Sequence, residues 1–256
     1  MIQFGNLDRS LGPSRVVRKA QFVGEVTNLI VPDKNSAAPR PQAFLVEQSA
    51  NWTLPTHFHQ EHQFQVFVSG GGRFGVHAVP HLAVHYASPH AGYGPLVSGG
   101  DGLAYMTMRA VGDDTGAWYL PDKRDHLDKR VAKRQAHGAP SGAMDSATLA
   151  SLADPQTEVL LEPDAEGLAA WLLRWPAGAT GVFPAGAELG GGRFVVVHQG
   201  SLVMPEGQVN ALGVAWAAPG DVMRGTAGPQ GLEAVVVQFP AAALQSFREQ
   251  HAQAST

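Results

Sequence analysis

The chain is written twice. The segment Phe64-Gln-Val-Phe-Val-Ser-Gly70 is echoed by Phe194-Val-Val-Val-His-Gln-Gly200, 130 residues later. Pro89, in Ala87-Ser88-Pro89, matches Pro219, in Ala217-Ala218-Pro219, at the same offset, and Gly102-Leu103 matches Gly231-Leu232 at 129. Three landmarks in one order, spaced by about half of a 256-residue chain, indicate an internal duplication. Whatever the chain folds into must therefore be built from two copies of one unit.

That unit reads as all-β. Gln63-Phe-Gln-Val-Phe-Val68 and Phe194-Val-Val-Val197 are short, β-branched or aromatic, and end near glycine. Ala43-Phe-Leu-Val-Glu-Gln48 has no helical period and also suits a strand. With 30 glycines and 18 prolines, turns are frequent and long helices are disfavoured. Between the copies, residues 123–134 carry Lys123, Arg124, Lys129, Arg130, Lys133 and Arg134, interleaved with Asp125 and Asp128. This charge run is expected to be a solvated linker helix. The alanine- and glutamine-rich tail from Ala241 to Thr256 is expected to be helical. The expected division is a first barrel over 1–115, a linker over 116–155 and a second barrel over 156–256.

The net charge of −4 offers no surface for nucleic acid, and the absence of cysteine excludes disulfides and thiol catalysis. There is no run of 18 apolar residues, nor a basic stretch leading into an apolar block near Met1. The expectation is a soluble, cytoplasmic protein with neither a membrane nor a nucleic-acid partner.

Of 11 histidines, seven lie between His57 and His90. In Thr56-His-Phe-His-Gln-Glu-His-Gln63, His57 and His59 are two apart, so a strand projects both imidazoles to one face. Two neutral imidazoles form half of a site for a borderline divalent ion. Gln63 has the same parity and adds an amide oxygen. Gln65 and Phe67 follow on the same face and, with Tyr86, are candidates for contact with a substrate. Tyr93 is a candidate for proton transfer. His77, His81 and His85 recur every four residues, but Pro80 interrupts any helix there. His62, His77 and His81 read as surface or hydrogen-bonded barrel residues.

These residues resemble the first motif of the cupin superfamily: two histidines one residue apart, an acidic residue shortly after, and a glycine seven further on. Here the set is His57, His59, Gln63 in place of the usual glutamate, and Gly70. Ser88-Pro89-His90-Ala91-Gly92 is similar to the second motif, whose usual histidine falls within Gly92-Tyr93-Gly94. The resemblance, extended by the repeat, implies a bicupin: two antiparallel jelly-roll barrels in tandem, with a short helical linker and a C-terminal helix. It implies one divalent transition metal in the first barrel, Fe(II) before Mn, Ni, Cu or Zn. The ligands would be His57, His59 and Gln63, with a fourth from His85, Tyr93, His90 or water, and His85 is preferred. By offset, His57, His59 and Gln63 map onto Ala187, Leu189 and Arg193, so the second barrel is expected to be metal-free. The layout is similar to that of quercetin dioxygenase-like bicupins, which implies a metal-dependent dioxygenase acting on a small aromatic or enol-containing substrate. Alternatives are an isomerase, cyclase or lyase with a redox-inert ion, or a non-catalytic small-ligand barrel. Open strand edges and analogy suggest a homodimer.

Overall fold

The structure, a computed structural model, describes residues 2–33, 35–36, 40–186 and 190–245. The first half contains β1 (Ile2–Gly5), β2 (Arg15–Lys19), β3 (Phe22–Ile30), β4 (Gln42–Gln48), β5 (Thr53–Leu54) and β6 (His57–Phe58). It continues with β7 (Gln63–Phe74), β8 (His77–Ala78), β9 (Val84–Ala87), β10 (Leu96–Arg109), β11 (Trp118–Tyr119) and β12 (Gln135–Gly138). After α1 (Ser146–Ala150) come β13 (Gln156–Leu161), β14 (Ala169–Trp175), β15 (Thr180–Val182) and β16 (Arg193–Met204). The last strands are β17 (Gly207–Asn210), β18 (Val214–Ala217) and β19 (Arg224–Gln238). The two main sheets run β12-β9-β7-β10-β4-β3-β2 and β1-β18-β16-β19-β14-β13.

The duplication is exact in the backbone. β7 and β16 begin 130 residues apart, as do β9 and β18. Leu82 and Leu212 both take positive φ, at 56° and 61°. Gly70 and Gly200 take 74° and 71°, and at each a Cβ would overlap the carbonyl oxygen of the matching Gly102 or Gly231. Only glycine satisfies both the dihedral and the close approach, so these four residues fix where the long paired strands bend.

The edge strands are exchanged. β1 opens the first half but pairs with β18 of the second, Ile2 against Ala217 and Gly5 against Val214. β12 opens the second half but pairs with β9 of the first, Gln135 against Ala87 and Gly138 against Val84. Each half thus lends its first strand to the other. The boundaries at 115 and 156 therefore need correction: residues 2–5 sit in the second sheet, and part of the expected linker closes the first. The expected helix over the basic run is also absent. Residues 124–126 form a single 3-10 turn, and the only α-helix of the linker region is the five-residue α1, capped by Asp145. Alternating charges there satisfy one another locally, as in the Arg130–Asp128 pair at 2.9 Å, rather than along a helix face. At the C-terminus Ala241–Leu244 is a 3-10 turn, and the rest of the expected helix lies outside the described residues beyond 245.

Strand alternation sorts the core. In β7, Phe64, Val66 and Val68 join a cluster with Phe194, Val196, Trp216, Val235 and Phe239 of the other half. The intervening Gln63, Gln65 and Phe67 point into their own barrel. β16 does the same, sending Phe194 and Val196 to the shared cluster and Val195 and Val197 to the second barrel's interior. Both faces are buried, so the strands read as continuous apolar runs. Phe64 is fully buried, 5.0 Å edge-on to Phe239. Phe64→Ala is expected to cost about 3–5 kcal/mol. Because the shared cluster and exchanged strands couple the halves, calorimetry should show this loss in a single transition. Two separated transitions would contradict the coupling.

Candidate active site in the first barrel

Residues of the same parity on β7 and β10 give the first barrel a polar interior: Gln63 and Gln65 on one strand, Tyr105, Thr107 and Arg109 on the next. All are buried. The equivalent positions in the second barrel are Val195 opposite Gln65, Ala234 opposite Tyr105 and Val236 opposite Thr107, all within an apolar cluster. The duplicated backbone therefore carries one cavity and one packed core. The cavity has a volume of about 820 Å³ and is lined by His57, His59, Gln63, Gln65, Tyr93, Arg109 and Asp113, with aromatic and aliphatic groups from β3 and β4.

His57 lies on β6, which pairs with β11 on one side and bridges Tyr93 on the other. The alternation expected of a strand holds: Phe58 turns away, fully buried between the rings of His90 and Trp118, while His57 and His59 face the cavity. The two imidazole centroids are 5.4 Å apart. Nδ1 of His57 is 2.8 Å from the Pro55 carbonyl oxygen. A carbonyl only accepts, so Nδ1 carries the proton and Nε2 the lone pair. Nδ1 of His59 is 2.7 Å from Oδ2 of Asp113 and 3.2 Å from the donor Nη2 of Arg109; the shorter contact to an ionised carboxylate favours the proton on Nδ1, the same tautomer. Burial, with His59 nearby, holds His57 at a pKa of about 3, and burial with the Arg109 charge holds His59 at about 4. Both are neutral. Burial alone would raise Asp113, but the His59 hydrogen bond and the Arg109 charge outweigh it and keep the carboxylate ionised.

Arg109, 4% exposed, is the fixed charge of the site. Its Nη1 donates to Oε1 of Gln42 at 2.7 Å and its Nη2 to Oε1 of Gln63 at 2.5 Å, and Nη2 lies 3.9 Å from Asp113. Its Nε has no hydrogen-bond partner. A guanidinium has no acceptor, so it fixes the Gln63 amide: Oε1 faces Arg109, and Nε2 donates to the Tyr93 hydroxyl at 2.5 Å. Tyr93 in turn donates to Nε2 of His57, 3.1 Å away. Burial raises the phenol well above its ordinary value, so it stays protonated.

Not every expected residue reaches this centre. Gln63 is present but presents an N–H rather than a lone pair towards the imidazoles. His85 lies behind Gln65, with Nδ1 3.0 Å from the Gln65 amide oxygen and Nε2 3.3 Å from that of Gln135. Both its nitrogens are engaged by the side-chain amides of Gln65 and Gln135, so neither is directed into the cavity. Tyr86 is a correction: parity places it in the cluster between the barrels, with its hydroxyl 2.6 Å from His62 Nδ1. Phe67 packs against Tyr105 and Phe74 outside the cavity lining. The His90 ring stacks on Phe58, and its Nδ1 accepts from the Asp128 amide at 3.3 Å. Arg109 and Asp113 were missed. Arg109 was legible as the one charge closing the buried run Leu103–Ala110, in parity with Tyr105 and Thr107; Asp113 carried no local signal.

No protein-family model matches the sequence, and no curated protein matches it. Solved structures do. Bacterial pirin YhhW from Escherichia coli in complex with nickel(II) superposes with a TM-score of 0.54 at 12% identity, over 94% of this chain and 99% of that one. Oxalate decarboxylase from Lactobacillus farciminis, in a formate complex, gives 0.57 at 10% identity over 89% and 84%. Salicylate 1,2-dioxygenase from Pseudoaminobacter salicylatoxidans, as an adduct with gentisate, gives 0.54 at 11% over 97% and 83%. The fold is that of a bicupin. Among the described residues, no helix is long and apolar enough to cross a membrane.

The donor set can be tested against the ion such a fold implies. The imidazole pair fits: each Nδ1 is held from behind by an acceptor, as in second-sphere support of metal-binding histidines, and both Nε2 atoms belong to one cavity, that of His57 becoming available once Tyr93 gives up its hydrogen bond. Tyr93 supplies an oxygen beside His57. The amide of Gln63 does not fit while Arg109 holds its oxygen.

Histidines kept neutral by burial bind protons only after unfolding. His57, His59, His62 and His85 have folded values of about 3 to 4, below the ordinary 6.5. The unfolded chain therefore binds more protons below 6.5, and stability is fully present above that pH and lost as pH falls towards 4. Uptake of nearly four protons gives a slope of roughly 5 kcal/mol per pH unit near pH 5. Denaturant titrations of the metal-free protein across pH 5–7 check this; a flat profile would contradict neutral burial.

Proposed function

We propose that the first barrel is the active site of a metal-dependent dioxygenase acting on a small aromatic or enol-containing substrate that bears an anionic oxygen. The observation that carries this reading is the pair His57 and His59, neutral, oriented from behind and sharing one cavity. The likeness to a nickel-bound pirin and to a salicylate dioxygenase supports it at the level of fold. A divalent transition metal, Fe(II) foremost, would be held by the two Nε2 atoms with Tyr93 beside them; when bound it supplies a Lewis acid and, if redox-active, a route for electrons to dioxygen.

The chain's own residues do the rest. Arg109, itself buried at the inner wall of the cavity, sets a positive potential there and attracts the anionic end of a substrate. With an ion on His57 Nε2, the Tyr93 hydroxyl would be released from that nitrogen and could donate its proton to an oxygen bound at the centre of the cavity. Asp113 fixes the tautomer of His59 and offsets the charge of Arg109. The turned amide of Gln63 favours a second reading, a barrel that binds a small anion on Arg109 with no ion.

Metal analysis separates the two. The wild type should carry Fe, Mn, Ni, Cu or Zn in the first barrel, lost from the His57→Ala, His59→Ala double variant, and an oxygen electrode should register uptake with hydroxylated benzoates or enols. Arg109→Gln should weaken binding of carboxylate ligands by about 10- to 100-fold. If no ion binds at His57 and His59 after reconstitution but carboxylates still bind through Arg109, the ion-free reading replaces the dioxygenase.

A further inference from the structure

A second group of metal-ligating side chains lies where the two barrels meet. His81 comes from the turn before β9, while His198 and Glu233 come from β16 and β19 of the other barrel. One ligand atom from each lies within 4.8 Å of the other two. The two imidazoles meet edge to face with centroids 4.5 Å apart. Nδ1 of His198 is 2.7 Å from Oε2 of Glu233.

The backbone aims these groups. Between Val197 and Gln199 the β16–β19 register slips, so that His198 is the extra residue of a β-bulge and both it and Gln199 turn against Glu233. The first barrel has the same bulge, between β7 and β10, where the corresponding residues are Val68, Ser69 and Ala104. One inherited backbone feature thus carries small or apolar residues in one copy and two ligand types in the other.

The carboxylate is prepared rather than merely paired. Glu233 is 1% exposed. Arg174 Nε donates to its Oε1 at 2.9 Å, leaving Oε2 for His198 and for Gln199 Nε2 at 3.1 Å. Burial would raise Glu233, but His198 and Arg174 hold it below its usual value, ionised. His81 needs a different account. It is partly exposed, no hydrogen bond among the described residues holds its ring, and yet the ring is set against His198. An ion pair of Arg174 with Glu233 would explain the carboxylate and leave His81 without a purpose.

We propose that His81, His198 and Glu233 form a site for a borderline divalent ion of the Zn(II) class, separate from the first-barrel cavity, which cross-braces the two barrels. Two imidazoles and one carboxylate leave a fourth, solvent-facing position. Imidazole ligands favour Zn(II), Ni(II) or Cu(II) over Mg(II) or Ca(II). A tautomer shift that moves the His198 proton to Nε2 frees Nδ1 beside Oε2 for the ion. Arg174 stays on the far oxygen and lowers the affinity without blocking the site.

The test uses the His57→Ala, His59→Ala protein, in which the first-barrel imidazoles are gone. Titrated with Zn(II), it should bind one equivalent. His81→Ala or His198→Ala added to this background should each weaken that binding by about 100-fold or more. Co(II) in place of Zn(II) should give a visible absorption band that the same variants lose. Saturation should raise the melting temperature by roughly 5 °C or more in the parent and not in the His81→Ala form. His81 lies in a turn and its truncation should leave the fold intact. Should the double variant fail to fold, the wild type and a His81→Ala, His198→Ala protein serve instead, and the stoichiometry should differ by one. Failure of the first-barrel reading lowers both counts equally and leaves that difference. Absence of binding in the folded double variant, or binding undiminished by loss of His81, overturns the proposal.

Discussion

Each central strand of this chain must bury two faces, and the reciprocal exchange of β1 and β12 is what makes that arrangement closed. A sheet with one face on its own barrel and the other on its neighbour has no solvent side from which polar groups could correct its register. The exchanged strands supply that correction. β1 locks onto β18 and β12 onto β9 with matching registers, and Gly5 and Gly138 each pass against a backbone carbonyl, that of Leu29 or Leu160. A side chain at either glycine would displace the donated strand. With both strands in place, Phe64, Val66 and Val68 meet Phe194 and Val196 across the interface, and the intervening Gln63, Gln65, Val195 and Val197 face inward. The position of the candidate site follows from this, because it is the inward face that carries Gln63 and Gln65.

The same inward face has two outcomes. In the second barrel it is filled by Val195, Val197, Ala234 and Val236, with Trp171 and Leu173 from β14. In the first barrel the filling is replaced by a hydrogen-bonded chain from Gln42 through Arg109, Gln63 and Tyr93 to His57. A buried guanidinium is costly unless its donors and its charge are matched. Gln42, Gln63 and Asp113 supply that matching in part, and Nε is left without a partner. A fold that retains such a group in one copy while the other copy is packed with aliphatic side chains has a use for it other than stability. The Arg and Gln are even present in the second barrel in exchanged places, as Arg193 opposite Gln238, where each is satisfied by backbone groups. There the pair serves the loops; in the first barrel it serves the cavity.

What the sequence made legible follows from the range of the interactions. The repeat, the strands and the glycine bends are local or periodic, and they were readable from Phe64–Gly70 and its echo. The same-face placement of His57 and His59 was readable because strand parity is a local rule. The exchanged strands were not, since a four-residue segment such as Gln135–Gly138 is specified by its partner edge rather than by its own pattern. The basic run looks helical by charge alone, although Arg130 is answered by Asp128 two residues away and Arg134 by Asp164 and Glu166 of the following segment. Tyr86 is a candidate substrate contact by residue type alone, whereas strand parity sets it opposite His85, on the face of β9 that joins the cluster between the barrels. Asp113 reaches His59 across a turn, and only the folded chain shows that contact.

Duplication also explains why chemistry can collect at the seam. Two copies of one bulge were inherited, and the one in the first barrel remained small and apolar around Val68 and Ala104. The one in the second barrel gained His198, Gln199 and Glu233, and the neighbouring barrel set His81 beside them. An isolated barrel could not assemble this group, because its members come from both halves. The cavity of the first barrel is different in kind: all of its polar residues belong to one half, and the second half contributes only the wall against which β7 and β10 are held. Function within a barrel therefore depends on that wall being rigid, whereas a site between barrels depends on their relative placement. A ligand bound at the seam would stabilise the wall itself, which links the geometry of the cavity to an ion that never enters it.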